Sequence, residues 1–185
     1  LYSRLRYENQ DYTHIRACNL PDDQVVTIMG PSKTESLSGY RLGVAFGSPS
    51  VLDRMEKLQA IVCLRTAGYN QAVLRTWFDE PPGWMEERTL RHQAIRDRLL
   101  GIFRQGGLAT RSPGAGSYLF PTLPKLGVTV NEFVQLLRHQ AEVIVTPGTE
   151  FGPYDHSIRL NFSQDAAAAA HAAARIVELT DRYKA

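Results

Sequence analysis

The sequence predicts an α/β fold, with helices on the faces of about six short strands. Three observations carry that reading. Two β-rich runs near the start alternate with helical spacing. A proline- and glycine-rich break lies near residue 80. After it, a long charged helix leads into short strands and two further helices. With 43% hydrophobic residues the chain has enough apolar side chain for a sizeable core.

Residues 24–30 read Gln-Val-Val-Thr-Ile-Met-Gly, a buried strand closed by Gly30-Pro31. A second strand is expected at 42–47, Leu-Gly-Val-Ala-Phe-Gly. From Pro49 the apolar residues Val51, Leu52, Met55, Leu58, Ile61 and Val62 fall on one helix face, with Ser50 the candidate cap and Cys63 core filling. A further helical stretch covers about 69–78. Asp79-Glu80-Pro81-Pro82-Gly83 then divides the chain into residues 1–80 and 81–185. The next helix, about 84–105, ends at Gly106-Gly107. Its charges alternate in sign, the pattern of a solvated face. Strands are expected around 108–112, 117–120, 143–145 and 157–162. Helices are expected at about 130–140, led by Thr129 and Asn131, and at about 165–183, capped by Asp165.

Composition narrows the function classes. The formal net charge is only +2, too small for the basic face that a nucleic-acid binder needs. No apolar run reaches the ~20 residues that span a bilayer. Two cysteines, Cys18 and Cys63, cannot make a disulfide scaffold. With no secretion signal in view, a reducing, cytoplasmic setting is the expectation. The five histidines lack metal-ligand spacing, so no metal site is expected.

The chemistry starts at Gly30-Pro31-Ser32-Lys33. A lysine just beyond a strand end faces the edge where open α/β sheets bind ligands. There it is either an exposed loop lysine or an amine poised for Schiff-base chemistry. Eight residues later comes Arg41, the side-chain type best suited to hold a phosphate through paired hydrogen bonds. Arg41 could instead pair with a local carboxylate such as Glu35. An amine and a phosphate clamp on one loop suit a phosphorylated carbonyl cofactor, and pyridoxal phosphate meets both needs.

Ser32-Lys33, a five-residue gap from Thr34 to Ser38, then Gly39-Tyr40-Arg41-Leu42-Gly43 resembles the lysine signature of the class I/II aminotransferases, which are fold-type I pyridoxal-phosphate enzymes. Three more segments match in order. Ser112-Pro113-Gly114-Ala115-Gly116-Ser117-Tyr118-Leu119-Phe120 is similar to the family's Pro-x-Gly…Tyr-x-Phe segment. Thr146-Pro147-Gly148-Thr149-Glu150-Phe151-Gly152 is similar to its Pro-Gly-Ser/Thr-x-Phe-Gly loop. Ile158-Arg159-Leu160-Asn161-Phe162-Ser163 resembles the strand that carries its carboxylate-binding arginine.

The resemblance implies roles by position. Lys33 would hold pyridoxal phosphate as a Schiff base and later move the α-proton. Arg41 would bind the cofactor phosphate with Ser32 beside it, and Arg159 would hold the substrate carboxylate. The family often has a serine where this chain has Gly30, so the chain departs from the family pattern at that phosphate contact. Tyr2 is placed as the tyrosine that meets the cofactor's ring oxygen, and the aspartate two residues before Leu1 would lie outside this chain. The resemblance therefore implies the second part of a large cofactor-binding domain (1–80) plus a C-terminal α+β small domain (81–185). It implies a homodimer acting on an amino acid and a 2-oxo acid. A C–S β-lyase or a decarboxylase on the same cofactor, an aminotransferase-like sensing domain and an inactive remnant remain alternatives.

Overall fold

A computed structural model describes residues 1–8 and 10–185. The chain divides into two compact units, Leu1–Met85 and Glu86–Ala185.

In the first unit, strand β1 (Thr27–Met29) pairs antiparallel with β2 (Val44–Phe46), with Met29 opposite Val44. The connection between them, residues 30–43, carries the lysine segment. Helix α1 (Pro49–Val62) starts from Ser48 rather than Ser50, because Pro49 takes the first helical position, where its missing N–H costs nothing. Helix α2 (Gly68–Ala72) runs into a 3₁₀ turn at Val73–Arg75, so the second helical stretch is shorter than its spacing suggests. The buried hydrophobic side chains here are Leu5, Tyr7, Val25 and Leu42. Cys63, expected in a core, is exposed at the end of α1.

The second unit is built otherwise. Helix α3 (Trp84–Gln105) begins at its border and closes with Leu108 N–H on the Phe103 carbonyl and Gly107 N–H on the Arg104 carbonyl, a Schellman ending. Strands β3 (Tyr118–Leu119), β4 (Thr146–Pro147) and β5 (Ile158–Asn161) form an antiparallel sheet with β5 in the middle. The run at 108–112 contributes only a single bridge, Ala109 to Thr122, and the fourth strand begins at Thr146 rather than within 143–145. Helix α4 (Val130–Gln140) has a capping box: the Thr129 hydroxyl accepts from Glu132 N–H, and the Glu132 carboxylate accepts from Thr129 N–H. Helix α5 (Ala166–Tyr183) is capped by Asp165, which accepts from the N–H groups of Ala167 and Ala168.

Alternation along β5 sends Ile158, Leu160 and Phe162 inward and leaves Arg159 and Asn161 on the other face. The inward residues join Leu99, Phe103, Phe133, Leu137, Ala173, Ile176 and Leu179, all buried. Burial of each large side chain here is worth about 1.5–3 kcal/mol. The long helix is not solvated all round. His92, Arg96, Leu99 and Phe103 share one buried stripe at helical spacing.

Candidate active site

In the first unit, chemistry gathers on the connection between β1 and β2. Gly30 makes this possible. A Cβ there would sit 2.8 Å from the Leu42 carbonyl oxygen, so only glycine lets the lysine end of β1 approach the segment that follows Arg41. The position where the family often has serine is thus taken by a close backbone approach. Leu37 N–H closes the turn on the Pro31 carbonyl, and Ser36 and Arg41 both adopt left-handed backbone, with φ of 58° and 53°. Non-glycine residues seldom take that conformation, and they concentrate at functional sites.

Lys33 is exposed, Ser32 and Tyr2 are half-buried, and Arg41 is exposed with its Nη1 donating to the Ser38 carbonyl at 2.9 Å. The carboxylate that could have neutralised Arg41 is committed elsewhere. Glu35 accepts from Arg4 Nη1 at 2.7 Å and from the Thr34 hydroxyl. Among the described residues, no carboxylate pairs with Arg41 or Lys33.

In the second unit, Arg159 stands on the central strand with Thr146 opposite it in register. Its Nη2 lies 3.5 Å from the Thr146 hydroxyl, a long contact. Its guanidinium carbon lies 4.6 Å from the Tyr118 ring centroid and 4.4 Å from that of Phe151, within cation–π range of both. Tyr118 faces Asn161 across the strands, one step from Arg159 on the same sheet face. Phe151 is held by the turn after β4. There Gly148 N–H bonds the Ser157 carbonyl at 2.7 Å, and a Cβ on Gly148 would lie 2.3 Å from the Tyr154 carbonyl oxygen. The result is a half-buried cation held by aromatic faces, a side-chain type able to pair with a carboxylate.

The sequence reading missed two supports. Arg96, 1% exposed, donates from Nη1 to the Pro113 carbonyl at 2.9 Å and so holds the loop leading to Tyr118. His92 faces the Arg88 carbonyl through Nδ1 at 2.9 Å, which fixes the proton on that nitrogen. Its Nε2 then accepts from the Ser163 hydroxyl at 2.9 Å, just beyond β5. Burial, with the nearby Arg88 charge, lowers the His92 pKa against the opposing pull of that carbonyl. The spacing of His92 and Arg96 with Leu99 and Phe103 was the signal. The alternating charges hid it.

Among the described residues, no group of three or more histidine, cysteine, aspartate or glutamate side chains is placed to hold a metal. No helix among them is long and apolar enough to cross a membrane.

The profile of the family "Aminotransferase class I and II" matches residues 1–176, and the chain belongs to that family. It is similar to an aspartate aminotransferase from Rhodobacter sphaeroides 2.4.1, with 66% identity and a TM-score of 0.96, covering 100% of this chain and 48% of that one. The probable N-acetyl-LL-diaminopimelate aminotransferase of Bacillus subtilis is 28% identical over 171 residues, 88% of this chain and 41% of its own length. The aspartate aminotransferase of Pyrococcus abyssi is 27% identical over 154 residues, 82% of this chain and 40% of its own. The chain thus spans less than half the length of these relatives. Its α/β fold is that of the fold-type I aminotransferases.

Proposed function

We propose that this chain forms the second part of the cofactor-binding domain and the C-terminal small domain of a pyridoxal-phosphate-dependent aminotransferase. The enzyme exchanges an amino group between an L-amino acid and a 2-oxo acid, as a homodimer in the cytoplasm. One observation carries the reading. Arg41 shares a loop with Lys33, neither pairs with a carboxylate among the described residues, and Glu35 of that loop is held by Arg4. A guanidinium and an amine on one loop suit a phosphorylated aldehyde, so the donor set fits the cofactor.

Lys33 would hold pyridoxal phosphate, which when bound would supply an electron sink for the substrate α-carbon. Arg41 would hold the phosphate with the Ser32 hydroxyl beside it, and the Tyr2 phenol would meet the cofactor ring. Lys33 Nζ would be the base that takes the proton from the substrate Cα and the acid that gives it back. Arg159 binds the α-carboxylate through its donor edges and fixes which bond at Cα faces the base.

The test is amino-group exchange by the loaded protein with a panel of amino donors. Lys33→Ala should reduce exchange to background. Arg159→Lys should raise KM for the amino acid about ten- to a hundredfold, because paired charge-assisted hydrogen bonds become single. Exchange that survives Lys33→Ala would overturn the reading.

A further inference from the structure

We propose that the Arg4–Glu35 ion pair is a positioning device that fixes the Lys33 turn against the segment bearing Tyr2. The inference rests on the roles proposed above for those two residues. Arg4 lies two residues after Tyr2, and Glu35 lies two residues after Lys33. The pair therefore ties together, across 31 residues of sequence, the two segments assigned to the cofactor.

Its construction is more than a surface contact. Arg4 Nη1 donates to Glu35 Oε1 at 2.7 Å, and Nη2 pairs with Glu80. The other Glu35 oxygen accepts from the Thr34 hydroxyl. The Arg4 guanidinium also lies 4.8 Å from the Phe78 ring centroid, and Phe78 stacks on Trp77. Glu35 and Glu80 side chains are only 8% and 16% exposed. One cation thus holds two largely buried carboxylates. Removing it leaves two largely buried carboxylates without their cation, which costs far more than the loss of an exposed pair.

The turn itself is lightly held. Its backbone closes through Leu37 N–H on Pro31 at 3.1 Å and a longer Ser36 N–H contact to Lys33 at 3.4 Å. Lys33 carries its amine on a flexible four-carbon stem, so the aim of Nζ depends on where the turn is anchored. Glu35 supplies that anchor from inside the turn. Arg4 and Glu35 touch no reacting atom in this scheme.

A charge swap tests the device. The unaltered chain, the Glu80→Gln chain, in which no second carboxylate meets position 4, and the variants Arg4→Glu, Glu35→Arg and Arg4→Glu/Glu35→Arg built on Glu80→Gln are incubated with pyridoxal phosphate, reduced with borohydride and mapped by peptide mass. Each single reversal should cut the pyridoxyl adduct at Lys33 about tenfold, and the double variant should restore most of it. A second readout needs no cofactor. Hydrogen exchange at the Leu37 amide should speed up in both single variants and slow again in the double, with α5 amides unchanged throughout. Singles that keep the adduct and exchange of the Glu80→Gln chain, or a double no better than either single, would overturn the inference. Absence of a Lys33 adduct in the unaltered chain is a different result. It removes the proposed function, and this inference with it.

Discussion

Helices α1 and α4 both carry an apolar stripe, and only α4 buries it. In α4, Val130, Phe133, Val134 and Leu137 are all in the core of the second unit. In α1, no residue is buried, and Leu58, Ile61 and Val62 are 62%, 81% and 81% exposed. The sheets differ in the same sense. The second unit has a three-stranded sheet with one face packed, while the first has a two-stranded ribbon, an element of marginal stability by itself. The proposed carboxylate site therefore stands on a strand rooted in a dense core. The proposed amine stands on a loop of a unit whose apolar surface is still uncovered. Chain outside the matched region makes up more than half of the relatives compared above.

The largest effect that would break this contrast comes from paired truncations. Phe133→Ala should cost about 3–5 kcal/mol in urea unfolding, the loss expected for emptying a packed aromatic site. Ile61→Ala should stay within about 0.5 kcal/mol, since little contact is lost. Equal losses would show that α1 is packed in solution.

A smaller effect sharpens the account of the second unit through pH. The folded state keeps His92 neutral below the ordinary histidine value of 6.5. As pH falls through 6.5 the unfolded chain takes up the proton first, so stability is lost on the acid side and fully present above it. His92→Gln should flatten that acid-side slope in unfolding curves collected at several pH values.

The smallest effect is at the α4 cap. Thr129→Ala should cost ~1 kcal/mol. The Glu132 carboxyl is held below its ordinary value first by the Thr129 backbone N–H and then by the hydroxyl. A carbon-13 NMR titration should therefore find it only partly raised in the variant, because the N–H remains.

Helix periods and most caps are legible where the signal is local, Ser50 being the exception because Pro49 takes the first helical position. The 84–105 and 130–140 helices, the Asp165 cap and the glycine ending of α3 all follow from residues within a turn of one another. Burial was less legible, because it depends on distant partners. The spacing of Leu58, Ile61 and Val62 specified a helix, but nothing in the spacing says whether a neighbour exists to cover them. The motif residues were legible through resemblance, whereas their supports were not. Tyr118 and Phe151 stood in quoted motifs, yet their contacts with Arg159 come from strand register and a turn anchored at Gly148. By sequence Glu35 is a candidate partner for Arg41, and its capture by Arg4 depends on the fold.

Hydrogen exchange read along the whole chain tests the central contrast most directly. The account predicts slow exchange, near the limit set by global unfolding, for central amides of α4, α5 and β5, and exchange faster by orders of magnitude in α1 and β1. Protection of α1 equal to that of α4 would contradict it, because the exposed stripe would then be covered in solution.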